Sequence, residues 1–309
     1  NNKNIKHILE LNIDEKREFL NSFDYLISDC DGVLWTLTGS IDGVSESISA
    51  LKEHNKKLAF VSNNSLTKFE TYNSKFEKIG VEITENELCN PSISIVKYLK
   101  SINFEGLIYV QGMETLKKSL KNAGYQIIDD ENLVIPKVKT FEELYSYVIV
   151  KEPVKAVIVD IDYNNSYPKL LKAEILLKKD PNCLFICGAT EKILPVNENL
   201  KITATGWFIH ILEEVTQRKA INLAKPGKEL GNLIMKNFGI TNSKRVVFVG
   251  DLLEHDMKFG SVCGFQKLLV LTGGTSKQKL FEHQVADELP DFYCDSFADI
   301  KKLFELSKI

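Results

Sequence analysis

The stretch Asp29-Cys30-Asp31-Gly32-Val33-Leu34 directly follows an apolar run, Tyr25-Leu26-Ile27-Ser28. A short run rich in aromatic and branched residues that breaks into Asp and Gly reads as a buried strand ending in a loop. Asp29 and Asp31 are two positions apart, so continued extended geometry turns both side chains toward one side. A carboxylate at Asp29 is suited to attack phosphorus and form an aspartyl-phosphate, which divides a hydrolysis into two easier displacements. The second acid, Asp31, is suited to protonate the leaving oxygen and then to activate water. Gly32 lacks a side chain and lets backbone approach a phosphoryl oxygen. Taken alone, an Asp-x-Asp at a strand end also fits a cap or a turn.

Outward from this stretch the same pattern repeats. Lys57–Val61 ends at Ser62-Asn63-Asn64, Ile221–Ala224 at Lys225-Pro226-Gly227, Val246–Val249 at Gly250-Asp251, and Leu268–Leu271 at Thr272-Gly273-Gly274. Amphipathic segments such as Ser45–Lys56 and Lys68–Gly80 lie between the runs. Alternating short strands and helices predict a doubly wound α/β core with a parallel sheet, whose ligand crevice lies at the carboxyl ends of the strands. From about Ile93 to Ala204 a further strand–helix series begins, with Gly106–Val110, Ala156–Val159 and Cys183–Ile186 as its strands. That length supports a core of its own. The expected organisation is therefore a first domain over 1–92 and 205–309, with a second, smaller α/β domain over 93–204 inserted in it.

The strand ends carry complementary chemistry. Asp251 and Asp256, in Gly250-Asp251-Leu252-Leu253-Glu254-His255-Asp256, form a second acidic pair. Mg²⁺ prefers oxygen ligands and keeps several waters, which Asp29, Asp251 and one backbone carbonyl, taken as that of Asp31, would satisfy. Asp256 would then hold the metal's waters or position Lys225. Ser62 and Asn63 offer a hydroxyl and an amide to phosphoryl oxygens, although each singly fits a turn or helix cap. Lys225 offers a positive charge for the nucleophile and for charge developing in transfer. The combination, in this chain order, points to phosphoryl transfer.

Together these motifs resemble the haloacid dehalogenase superfamily of aspartate-nucleophile phosphatases. Asp29–Trp35, Ser62–Ser65, Gly206–Ile209 and Gln217–Ala220 resemble its branch of phosphoglycolate phosphatase, pyridoxal phosphatase and 4-nitrophenylphosphatase enzymes. The resemblance implies a Rossmann-like core with an inserted cap, a Mg²⁺ cofactor, a small phosphorylated metabolite as substrate, and a homodimer formed through the caps. It also places Asp162, in Asp160-Ile161-Asp162, in the cap as a candidate substrate contact, beside plain structural use. The chain departs from the branch at Leu252, where an arginine is usual, at Leu66-Thr67-Lys68-Phe69, and at Gly188-Ala189-Thr190-Glu191. These changes bear on substrate rather than reaction.

Composition excludes other classes. A net charge of -3 gives no basic surplus for nucleic acid. No apolar run is long enough to span a bilayer, and Asn1–Glu10 lacks the features of a signal peptide. Six dispersed cysteines without a Cys-x-x-Cys pair fit reduced thiols and a cytoplasmic setting. Two other classes fit parts of the pattern. One is a catalytically weak protein that keeps the fold to bind a metabolite. The other is a phosphoacceptor like a response regulator, which would lack an acid at Asp31.

Overall fold

The computed structural model describes residues 5–36, 38–128, 130, 137–197 and 200–308. The first four residues of the N-terminal stretch considered above lie outside that set. The described residues of 1–62, 68–89 and 225–309 form one compact unit, and those of 63–67 and 90–224 form another.

The first unit is built on a seven-stranded, wholly parallel sheet. Its order is Lys6–His7, Phe292–Cys294, Gln266–Val270, Val246–Gly250, Tyr25–Asp29, Lys57–Val61 and Leu88–Cys89. Tyr25–Asp29 lies inside the sheet because its residues are apolar toward both faces, as a strand covered on both sides requires. In register, Ser28 pairs with Val249 and Asp29 with Val61. Ile27, Ala59, Val61, Val246 and Phe248 pack with Leu230, Ile234 and Phe259 in one buried cluster. From Tyr25–Asp29 the chain builds outward to Lys57–Val61, then returns to the opposite side with Val246–Gly250. The order therefore reverses beside Asp29, which is where open α/β sheets bind ligands.

The second unit holds a five-stranded parallel sheet in the order Ile221–Asn222, Leu184–Cys187, Val154–Val159, Leu107–Gln111 and Ile127–Ile128. Its first helix, Pro91–Ser101, begins with Pro at the first turn and Asn90 accepting the Ile93 N–H, two preferred start signals. An antiparallel pair, Ile193–Asn197 with Leu200–Thr203, stands apart from that sheet.

The expected α/β class and parallel pairing are both observed. One strand assignment is corrected. Ile221–Ala224, expected in the first sheet, forms a two-residue strand that pairs with Leu184–Cys187 in the second. A four-residue apolar run carries no information about its partner, and pairing at a sheet edge decided the matter. Among the described residues, no helix is long and apolar enough to cross a membrane.

Candidate active site

The first unit gathers carboxylates and a lysine at the carboxyl ends of its central strands. Asp29 ends its strand nearly buried. Its Oδ1 accepts the Cys30 N–H at 2.7 Å and lies 2.8 Å from Lys225 Nζ. The same ammonium donates to Asp256 Oδ1 at 2.7 Å. Asp256 reaches its place through the π-helical turn Leu253–Met257, which follows Val246–Gly250. There its Oδ2 accepts the N–H groups of Asp251 and Leu252, each at 3.0 Å. Asp256 thus contacts Lys225 directly.

Asp251 is enclosed by backbone. The Gly274 N–H donates to its Oδ2 at 2.6 Å. A Cβ on Gly273 would lie 2.0 Å from that oxygen, and one on Gly32 would lie 2.5 Å from it. Gly32 also has a φ of +83°, so the loop after Asp29 needs glycine on two counts. Thr272 Oγ1 donates to the Gly32 carbonyl at 2.6 Å and ties the two loops together. Among the described residues, Asp251 Oδ1 is buried and has no hydrogen-bond partner.

One oxygen from each of Asp29, Asp251 and Asp256 lies within 4.8 Å of the others. Three acids thus crowd one buried ammonium, which two of them, Asp29 and Asp256, contact directly. Burial and the neighbouring acids push the Asp29 carboxyl well above its usual range, against the pull of Lys225. Burial and Asp256 push Asp251 up to about 6. Burial works against the Lys225 ammonium, but Asp256 and Asp29 outweigh it and hold the proton on. The crowded acids and the unpartnered Asp251 Oδ1 fit a hard divalent cation with oxygen ligands.

Asp31 lies at the rim of this cluster. Its Oδ1 accepts the Trp35 Nε1–H at 2.8 Å and lies 3.5 Å from Lys75 Nζ. Ser62 Oγ, 3.5 Å from Asp31 Oδ2, accepts the Tyr72 hydroxyl at 2.8 Å. Burial raises the Tyr72 pKa, so the phenol remains a donor. Cys30, between the two acids, is fully buried, and burial pushes its thiol well above the ordinary range.

The structure therefore brings together Asp29, Asp31, Gly32, Ser62, Lys225, Asp251 and Asp256. Asn63 falls in the second unit, where its amide donates to Glu191 Oε1 at 2.7 Å. Asp162 is also in that unit; its Oδ2 pairs with Lys169 at 2.8 Å and its Oδ1 accepts the Asn164 N–H at 2.8 Å. Both oxygens thus serve a turn and an ion pair. Sequence reasoning missed Tyr72 and Lys75, which sit one helical turn apart on Phe69–Lys78. Their i, i+3 spacing was the available signal. A second grouping, His7, Asp295 and Asp299, also brings ligand atoms within 4.8 Å of one another. His7 Nδ1 accepts the Leu9 N–H, which leaves the proton on Nε2, the atom facing Asp295.

Known proteins resemble this chain along most of its length. A family model described as haloacid dehalogenase-like hydrolase matches residues 26–126, and a related HAD-hydrolase-like model matches residues 222–300. Phosphoglycolate phosphatase 2 of Arabidopsis thaliana is 31% identical over 293 residues, 94% of this chain and 96% of that protein. The chain belongs to the haloacid dehalogenase-like hydrolases. The 4-nitrophenylphosphatase of Schizosaccharomyces pombe is 30% identical, across 93% of this chain and 96% of its own length. Among solved structures, the 4-nitrophenylphosphatase of Thermotoga maritima superposes with a TM-score of 0.72 at 25% identity, covering 92% of this chain and 98% of that one. The expected enzyme class, a phosphoric monoester hydrolase of this family, is borne out.

Proposed function

We propose that this hydrolase is a Mg²⁺-dependent phosphatase of small metabolites that works through an aspartyl-phosphate on Asp29. The observation that carries this reading is Lys225 Nζ held between Asp29 Oδ1 and Asp256 Oδ1, at 2.8 and 2.7 Å. It fixes one oxygen of Asp29 and leaves Oδ2 to attack. In the first step Asp29 Oδ2 bonds to phosphorus as the ester P–O bond breaks, and the departing oxygen takes a proton from Asp31. In the second, Asp31 takes a proton from water, whose oxygen displaces Asp29 and releases inorganic phosphate. Ser62 and the Gly32 backbone steady the phosphoryl oxygens, and Asn63 is proposed to join them. Asp29, Asp251 and the Asp31 carbonyl would hold Mg²⁺, with Asp256 beyond them; when bound, the ion neutralises phosphoryl charge.

The second unit serves as the inserted cap. Relatives named for phosphoglycolate and 4-nitrophenyl phosphate support a small monoester substrate. Phosphoglycolate, pyridoxal phosphate and glycerol 3-phosphate, the last from a relative in Gallus gallus, are the metabolites to screen first. Asp162 remains the proposed cap contact. A homodimer through the cap is supported by exposed Leu194 and Ile202, paired across one hairpin, and by Trp207, Ile211 and Val215 along one helix. Six buried free cysteines support a reducing, cytoplasmic setting.

The test is phosphate release from 4-nitrophenyl phosphate with and without Mg²⁺, alongside Asp29→Asn. Turnover that needs the metal and is lost in the variant is expected. Full activity in Asp29→Asn would remove Asp29 as nucleophile.

A further inference from the structure

Asp31 has a side chain that is half exposed, with relative accessibility of 50%. A carboxyl so placed is free to sample rotamers unless something holds it, and a proton donor must be held in line with the oxygen it serves. Trp35 is built to hold it. Its Nε1–H donates to Asp31 Oδ1 at 2.8 Å. The residue is only 4% exposed, and its ring meets Phe76 edge-on at 5.0 Å. Its carbonyl accepts the Gly32 N–H at 2.7 Å, closing the loop that carries Asp31. The indole is therefore fixed by both packing and backbone. Lys75 Nζ, 3.5 Å from the same carboxylate oxygen, lies 4.9 Å above the Trp35 ring. Oδ1 is thus occupied by two donors, whereas Oδ2 has one long contact, from the Ser62 hydroxyl at 3.5 Å.

Resting on the phosphatase reading, we propose that Trp35, assisted by Lys75, is the positioning residue for the general acid. The two donors hold Oδ1, so that Oδ2 is the oxygen that delivers the proton. As Asp29 Oδ2 bonds to phosphorus, the P–O electron pair passes to the leaving oxygen, which takes its proton from Asp31 Oδ2. How much this positioning matters depends on the leaving group. A nitrophenolate departs readily without a proton, whereas unsubstituted phenolate, with a conjugate acid near tyrosine's pKa of about 10, needs one far more.

The test compares kcat/KM for phenyl phosphate and 4-nitrophenyl phosphate, a ratio governed by the step that expels the leaving group. Trp35→Phe keeps an aromatic ring against Phe76 and deletes the N–H. It is expected to lower kcat/KM for phenyl phosphate about tenfold more than for 4-nitrophenyl phosphate, a fraction of what general acid catalysis supplies. Lys75→Met removes the second donor and keeps an apolar side chain of similar length beside the Trp35 ring. It is expected to shift the ratio in the same direction by a smaller factor. Equal losses on both esters in Trp35→Phe, or no loss on either, would overturn the assignment while wild-type turnover kept the phosphatase reading intact. Wild-type protein that hydrolysed neither ester with Mg²⁺ would end both.

Discussion

Lys225 is held by Asp256, 2.7 Å away through a buried ion pair, and Asp256 is itself held by two backbone N–H groups of its own loop. The lysine is therefore aimed at Asp29 by a carboxylate that is anchored to the main chain. Asp256→Asn should weaken that anchor and leave Asp29 with a poorly directed ammonium. Lys225→Met removes the ammonium that faces Asp29 and Asp256. A fall of about 10² or more in kcat is expected for each with Mg²⁺ present. Breaking a buried pair costs about 3–5 kcal/mol, so urea unfolding should show both variants less stable. Near-wild-type kcat in Lys225→Met would contradict the assigned role.

Asp251 tests the idea that the acidic cluster is arranged for a cation rather than for stability. Burial and Asp256 raise its pKa to about 6, which means its charge is unfavourable in the folded protein without metal. Asp251→Asn should therefore raise the thermal midpoint in EDTA above that of wild type, while abolishing activity. Mg²⁺ should raise the wild-type midpoint by mass action and leave the variant's unchanged. An equal Mg²⁺ shift in both would place the ion elsewhere.

The glycines around Asp251 yield a prediction of a different kind. A Cβ at position 273 would sit 2.0 Å from Asp251 Oδ2. Gly273→Ala must push that carboxylate or its own loop aside. The Mg²⁺ concentration for half-maximal activity should rise about tenfold or more, in line with disturbed support of a metal ligand. Circular dichroism should show an intact fold, since the loop lies outside the sheet. Unchanged metal dependence would show that the loop yields instead.

Asp160, in the second unit, gives the pH dependence. It is 2% exposed, and burial raises its carboxyl from 3.8 to about 6. The folded protein thus binds this proton more tightly than the unfolded chain. Stability from the protonated acid is present below pH 4, declines between about 4 and 6, and is level above that. Asp160→Asn, which mimics the neutral acid, should remove this decline. At neutral pH the variant should gain stability on the order of 3 kcal/mol at most. Urea midpoints at pH 4 and pH 7 check this; a wild-type-minus-variant difference that does not change with pH would refute it.

Much of this architecture is legible in the sequence. Tyr25–Asp29, Lys57–Val61 and Val246–Gly250 announce themselves because central parallel strands are apolar throughout and break abruptly into polar loops. The same cue misled at Ile221–Ala224, where nothing local distinguishes one sheet from the other. Lys6–His7 and Leu88–Cys89 were invisible, since two residues display no period. Within the site, acids at strand ends could be read by position, whereas Trp35, Tyr72 and Lys75 meet Asp31 and Ser62 only through folding of a loop against a helix. Thr272 and Gly273 were visible as a strand end, but their grip on Gly32 and Asp251 is tertiary.

Cys30 carries a final consequence. A thiol stands between the proposed nucleophile and its acid, yet it is sealed from solvent and its proton is held tightly. Oxidants and alkylating agents attack thiolates they can reach. Peroxide or iodoacetamide at levels that silence cysteine-dependent phosphatases should leave this enzyme working. A cell under oxidative stress would then keep clearing its substrate while thiol-based dephosphorylation stalls.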